Sequence, residues 1–295
     1  MRVFVTGATG FIGSAIVQDL IGAGHQVLGL ARSAAAATAL AGAGAQAHAG
    51  SLEDTDSLRR GAAAADGVIH TAFNHDFARF AANCEADRRA IEALGSALLG
   101  SKRPLVITSG TALLPPGRLV NEDDAPASAV PRVASEEAGS AVAARGVRVA
   151  VVRLPPSVHG DGDHGFIPLL IGIARAKGAS AYVGAGLNRW PAVHRLDAAR
   201  LFRLALERGA AGARYHGVAE EGVPFRTIAE VIGRRLGLPL ASMSSEQASG
   251  HFGWFAHFAA IDNVASSERT RELLGWLPTQ PGLIQDIDRA HYFAT

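Results

Sequence analysis

Short apolar runs alternate with longer amphipathic stretches through the first half of the chain. Residues 2–6, 26–30, 45–48, 67–71, 104–109 and 147–153 read as successive buried strands, each a brief apolar run set off by turn-forming residues. Between them, Ile12 to Ala23 and Arg79 to Leu99 are long enough for crossover helices, and Ile12, Ile16 and Leu20 share one face of the first. This alternation predicts an α/β fold with a doubly wound parallel sheet, because right-handed crossovers place helices on both faces. The alanine-rich stretch 34–44 looks low in complexity, yet alanine's helix propensity favours a short surface helix. After residue 155 the alternation stops. Pro, Gly and His gather in LPPSVHGDGDHGFIP ahead of a helical pattern at 169–177, and a second, smaller lobe is expected to begin there.

The first strand runs straight into Gly7, Gly10 and Gly13 in MRVFVTGATGFIG. A strand, a glycine turn and a helix in that order leave unpaired N–H groups and the positive end of the helix dipole where they can hold a pyrophosphate. Gly7 fits the turn, Gly10 lets backbone approach phosphate, and Gly13 permits close packing of helix on strand. This is the start of a dinucleotide-binding Rossmann fold. In an NAD site an acid about 20 residues beyond the glycines bonds the ribose hydroxyls. Here Ala31-Arg32-Ser33 stands at the end of the second strand. Arg32 offers charge-assisted bonds to a 2′-phosphate and Ser33 another donor, so NADP(H) is expected over NAD(H), which remains the alternative.

With Thr6 leading it, the TGxxGxxG spacing resembles the extended branch of the short-chain dehydrogenase/reductase superfamily. GVIHTAF at 67–73, LVITSGT at 105–111, VVRLPPSVHGDGD at 151–163 and RWPAVHRLDAARLFRLAL at 189–206 resemble later strands and loops of that family. The resemblance implies a dinucleotide domain at 1–155 and 189–218 and a smaller C-terminal substrate lobe at 156–188 and 219–295. It implies cofactor contacts from Gly7, Thr9, Gly10, Phe11, Ile12, Gly13, Thr71, Ala72, Phe73, Pro155 and Ser157. Ser51 and Leu52 stand where relatives often carry Asp-Leu, with Leu52 against the adenine. A homodimer through helices 79–99 and 133–145 is also implied.

The chain departs from the family at its acid–base pair, a Tyr followed four residues later by a Lys. The tyrosines are Tyr182, Tyr215 and Tyr292, none with Lys four positions on, and the expected window at 128–140 reads SAVPRVASEEAGS. Arg132 in that window titrates too high for proton exchange and is expected as a surface residue at a helix start. Ser109 and Thr111, at the end of the fifth strand, offer hydroxyls to polarise a carbonyl, the register between Gly110 and Thr111 being open. His159 and His164 flank the loop after the sixth strand, near the family's nicotinamide end, and His164 is preferred as proton donor. His70 is read as structural, and His194 as ordering a strand–helix junction. Phe73, Phe166, Tyr182, Trp190 and the cluster HFGWFAHF at 251–258 supply aromatic surface for a partly apolar substrate pocket. The loop HGDGDH does not fix a coordination geometry, and no metal is expected.

Composition narrows the setting. The 28 basic and 27 acidic residues leave a net charge of +1 without a long single-sign run, which argues against nucleic acid or an anionic membrane as partner. Cys84 is the single cysteine, so no intramolecular disulfide forms and a reducing cytoplasm is the natural setting. No stretch reaches the roughly 18 apolar residues of a membrane span. The expected function is NADPH-dependent reduction of a carbonyl or related C=X bond in a small, partly apolar substrate. A transient-oxidation epimerase or isomerase, and a non-catalytic NADP(H)-ratio sensor, are the alternatives.

Overall fold

The computed structural model describes residues 1–127 and 130–294. The first two positions of the 128–140 window therefore lie outside the described residues, as does Thr295. The central sheet takes β1 (Arg2–Thr6), β2 (Gln26–Ala31), β3 (Gln46–Ala49), β4 (Gly67–His70) and β5 (Pro104–Gly110). After the short β6 (Leu119–Val120), it adds β7 (Arg148–Leu154). β8 (Ser157–His159), β9 (Ser180–Val183) and β10 (Arg189–His194) lie in smaller sheets, and β11 (Arg214–His216) returns to the edge of the large one. The order is β11-β7-β5-β4-β1-β2-β3, parallel throughout. From β1 the chain winds outward to β2 and β3, then crosses to β4 on the other side. The crevice beyond the carboxyl ends of β1 and β4 is thus the topological switch point, where open α/β sheets bind ligands.

Side chains alternate across the strands as their period of two requires. Val3, Val5, Ile69, Val106 and Val152 enter one core, with Ile16 and Leu20 of α1 (Phe11–Gly22). Phe4, Val68, Leu105 and Ile107 face the other. There they meet helices that follow α2 (Ala34–Gly42): Leu58 of α3 (Thr55–Ala63), Ile91 and Leu94 of α4 (Phe80–Ser96), and Val142 of α5 (Ala134–Ala144). The alanine-rich stretch is the helix expected, with the Ser33 hydroxyl accepting the Ala36 N–H at 3.2 Å as its cap.

α6 (Phe166–Lys177) opens the second lobe, and α7 (Arg195–Arg208) goes back to the large sheet, adding Leu201 and Phe202 to the first core. β10 pairs with β8 and with β12 (Glu220–Pro224). α8 (Phe225–Leu236), β13 (Leu240–Met243) and α9 (Ser245–Phe252) follow, and a separate core around Ile167, Trp190, Phe225, Ile228 and Phe255 fills this lobe.

At the sheet edge His216 is fully buried; its neutral ring donates from Nδ1 to the Ser266 carbonyl at 2.8 Å, and Nε2 faces Arg153 Nη1 at 3.4 Å. Burial, and then the Arg153 charge against an opposing Glu122, push its pKa down to about 4. An unfolded histidine takes its proton near pH 6.5, whereas the folded one stays neutral to about 4. The stability present above pH 6.5 is therefore lost as pH falls through that window, by about 3 kcal/mol. Urea denaturation at pH 7 and pH 4.5 is expected to show the loss, and His216→Gln to flatten it.

Candidate active site

The crevice is built by close approach. Gly7 sits at φ +70°, and a Cβ there would lie 2.7 Å from the Ala72 nitrogen. A Cβ on Gly13 would lie 1.9 Å from the Gly7 carbonyl oxygen, so α1 begins in direct contact with the turn. The Thr71 hydroxyl donates to the Thr6 carbonyl at 2.8 Å and ties the loop after β4 to the end of β1. At Gly10, which precedes α1, a Cβ would meet only that same Gly7 oxygen, at 3.1 Å. The Ser14 N–H bonds the Gly10 carbonyl, which leaves the N–H groups of Phe11, Ile12 and Gly13 to point out of the helix end. Such a cradle fits a dinucleotide pyrophosphate.

At the end of β2 an open hollow of about 560 Å³ is lined by Arg32, Ser33, Ser51 and Asp54. Arg32 is exposed on its rim. Nearby, the Ser51 hydroxyl, then the Glu53 backbone N–H, and the Arg32 charge hold the Glu53 carboxyl below its usual range. Leu52 packs against the core beneath β2.

The other end of the crevice stands over a buried polar relay. Asp87 of α4, 2% exposed, accepts from His70 Nε2 at 3.0 Å, and His70 Nδ1 meets the Thr6 hydroxyl at 2.7 Å. Asp87 also accepts from Arg132 at 2.6 Å and from Ser135 at 2.5 Å. Burial works against this carboxylate, but Arg132 and then His70 outweigh it and lower its pKa. Arg132 corrects an expectation. It is not a surface residue: its side chain is 15% exposed, it donates to the Thr108 carbonyl at 3.2 Å, and its guanidinium lies 4.1 Å above the Phe73 ring. One turn later, Glu136 pairs with the fully buried Arg153 through two bonds of 2.8 Å. Arg132, in the 3-10 turn that leads into α5, and Glu136, in its first turn, are thus four residues apart and both reach β5.

The four residues named for chemistry fare differently. Ser109 is buried and donates to Glu136 Oε1 at 2.6 Å, so its proton is committed. Thr111 is fully buried, bonded to Asn263 Oδ1 at 2.8 Å while the Asn263 amide returns to its carbonyl. It clamps a loop and does not face the crevice. His159 is 1% exposed inside the second lobe, donating to Asp286 at 2.9 Å with the His194 ring 5.3 Å away. Beside it burial raises Asp163 to about 6. Asp286 stays near 2, since bonds from His159 and Arg289 outweigh the burial that opposes its charge. His164 alone of the four is exposed, its ring edge-on to Phe11 at 5.6 Å.

Residue-type reasoning passed over His75. Its imidazole is exposed at one side and packs 5.2 Å from Phe73, and partial desolvation there, then the charges of Arg132 and His164, lower its pKa. Its position in the loop directly after β4 was the available signal. Thr9 is exposed beside the cradle, Pro155 is buried, and Ser157 is buried in β8 with its hydroxyl unpartnered. His70 and His194 are structural as expected, the latter accepting the Leu196 N–H at 3.3 Å to begin α7.

Of the aromatic residues, Phe166 faces the crevice wall, 6.4 Å from Phe77. Trp190 and Tyr182 do not. Trp190 is fully buried with its indole N–H on the Phe258 carbonyl at 3.1 Å, and Tyr182 lies in the lobe core beneath Arg226. The Trp190 ring meets those of Phe166, Phe225 and Phe255, and both residues belong to the lobe's core, so both are packing residues.

A doubly wound parallel sheet with a glycine cradle at its switch point and a smaller C-terminal lobe defines an extended short-chain dehydrogenase/reductase, an NAD(P)-dependent oxidoreductase. The chain belongs to the NAD dependent epimerase/dehydratase family, whose model matches residues 3–218. It is 52% identical over 295 residues to the uncharacterised protein C2A9.02 of Schizosaccharomyces pombe, covering 99% of this chain and 100% of that one. It is 29% identical over 227 residues to 4-hydroxy-2-methyl-3-oxo-4-farnesyl-3,4-dihydroquinoline-1-oxide ketoreductase of Stigmatella aurantiaca, covering 73% of this chain and 67% of that one. The dTDP-glucose 4,6-dehydratase DesIV of Streptomyces venezuelae, solved with NAD bound, has the same fold at a TM-score of 0.77 and 21% identity, covering 99% and 97% of the two chains. No helix among the described residues is long and apolar enough to cross a membrane.

Proposed function

We propose that the chain uses NADPH to reduce a carbonyl or related C=X group in a small, partly apolar substrate. The observation that carries this reading is a glycine cradle at the switch point, with the Arg32 hollow at the end of β2, the His164 ring against Phe11 of the cradle, and His75 against Phe73 in the loop after β4. The N–H groups of Phe11, Ile12 and Gly13 would hold the pyrophosphate, Arg32 and Ser33 the 2′-phosphate, and Leu52 the adenine. Thr71, Ala72, Phe73, Pro155 and the unpartnered Ser157 hydroxyl would border the nicotinamide. When bound, NADPH supplies the hydride.

The protein's task is then to orient the substrate and deliver one proton to the carbonyl oxygen. Arg132 keeps its proton, and that of Ser109 is held by Glu136. His164, with His75 beside it, is the donor this reading selects. The Stigmatella relative's name, a ketoreductase, supports a ketone as substrate.

The test is NADPH consumption with a panel of aldehydes, ketones and imines. The double variant His75→Gln/His164→Gln is expected to bind NADPH normally and to lose roughly 10²–10⁴-fold in kcat. Absence of NADPH consumption across the panel contradicts the proposal. So does turnover that returns the cofactor to its starting redox state, the mark of transient oxidation.

A further inference from the structure

The loop after β4 carries Phe73, Phe77 and Phe80 to one wall of the crevice, and the second lobe sets Phe166, Trp254 and Phe258 opposite. Phe77 is the hub. It lies face to face with Trp254 at 4.6 Å and 26°, and its ring is within 6.5 Å of those of Phe80, Phe166 and Phe258. Gly253, at φ +58°, ends α9 and turns Trp254 outward. Trp254 remains 54% exposed, and neither it nor Phe77 belongs to a hydrophobic core. Exposed aromatic surface of this kind, at the mouth of a crevice, marks a ligand groove. The cation that touches the wall, Arg132 over Phe73, is already neutralised by Asp87.

We propose that Phe77 and Trp254 form a clamp for a planar, uncharged, conjugated carbonyl compound, its ring system stacking between theirs. This rests on the reductase reading and names its substrate class. Two parallel ring faces reward a flat π-system over an alkyl chain, and the pair must part from 4.6 Å to about 7 Å to admit one. Both rings sit on single 3-10 turns, Phe77–Arg79 and Gly253–Phe255, rather than on long helices or strands. His75 lies 6.4 Å from Phe77, so a carbonyl on a clamped ring is held next to the imidazole that neighbours His164, the donor of the reductase reading.

Trp254 reports on its own clamp, because Trp190 and Trp276 are both fully buried. The NADP-loaded protein is titrated by calorimetry and tryptophan emission with 2-acetylnaphthalene, with the open-chain ketone 2-dodecanone, and with UDP-glucose. The naphthyl ketone is expected to bind, to quench emission in wild type but not in Trp254→Phe, and to bind at least tenfold more weakly to Trp254→Leu and Phe77→Leu. Trp254→Phe is expected to keep its affinity, and all variants to keep NADPH binding. Equal affinity for 2-dodecanone, binding of UDP-glucose in place of the ketone, or unchanged affinity in both leucine variants overturns the clamp. Tight, Trp254-dependent binding of the naphthyl ketone without reduction supports the clamp and counts against the reductase reading, so the two fail separately.

Discussion

Arg153→Ala is expected to lower the free energy of unfolding by about 3–5 kcal/mol. Arg153 is fully buried on β7 and spends its donors on three segments at once. Two bonds go to Glu136 on α5, another goes to the Asp124 carbonyl at 2.9 Å, and Nη1 also faces His216 Nε2 on β11 at 3.4 Å. Its removal leaves a buried carboxylate whose remaining partners are the Ser109 hydroxyl and Arg214, the latter at 3.7 Å. In the intact protein burial opposes the Glu136 charge, but Arg153 outweighs it and holds the carboxyl below its usual range. Leaving one charge unpaired costs more than losing both, so Arg153→Ala/Glu136→Ala is expected to be milder than Arg153→Ala alone. Urea denaturation of the single and double variants measures this. A loss under 1 kcal/mol for Arg153→Ala would refute the account of the pair as a buried clamp.

Arg32→Ala is expected to weaken NADPH binding about 10–100-fold and to leave NADH binding unchanged. A hydrogen bond to a charged group contributes about 1.5–3 kcal/mol net, and 1.4 kcal/mol is tenfold in affinity. The hollow at the end of β2 presents Arg32 and Ser33 where an NAD site would present an acid. Glu53 stands close enough to feel the Arg32 charge, so a 2′-phosphate must compete with that carboxylate for the guanidinium. Glu53→Gln is accordingly expected to tighten NADPH binding in the same titration, opposite in sign to Arg32→Ala.

The nucleotide half was legible in the sequence because its signals are local. An apolar strand, a glycine at positive φ and a glycine packed against a carbonyl lie within thirteen residues, and periodicity placed the other strands within a residue or two of their observed bounds. The substrate half was not, because its contacts join distant segments. Trp190 looked like a pocket wall, but Phe225 and Phe255, 35 and 65 residues on, pack around its ring, and Thr111 is silenced by Asn263, 152 residues away. Arg132 appeared superficial because the acids near it in sequence, Glu136 and Glu137, pair instead with Arg153 and Arg88, while its own partner Asp87 is 45 residues distant. The missing Tyr and Lys were plain in the sequence. That Arg132 and Glu136 share their four-residue spacing and reach the same strand required the fold.

The central claim is that this chain is built for NADPH, and its direct test is calorimetric titration of the cofactor-free protein with NADPH and NADH. The account predicts one site per chain, with NADPH bound at least tenfold tighter than NADH. Tighter binding of NADH would contradict the reading of Arg32 and its hollow, and binding of neither would contradict the redox function as a whole.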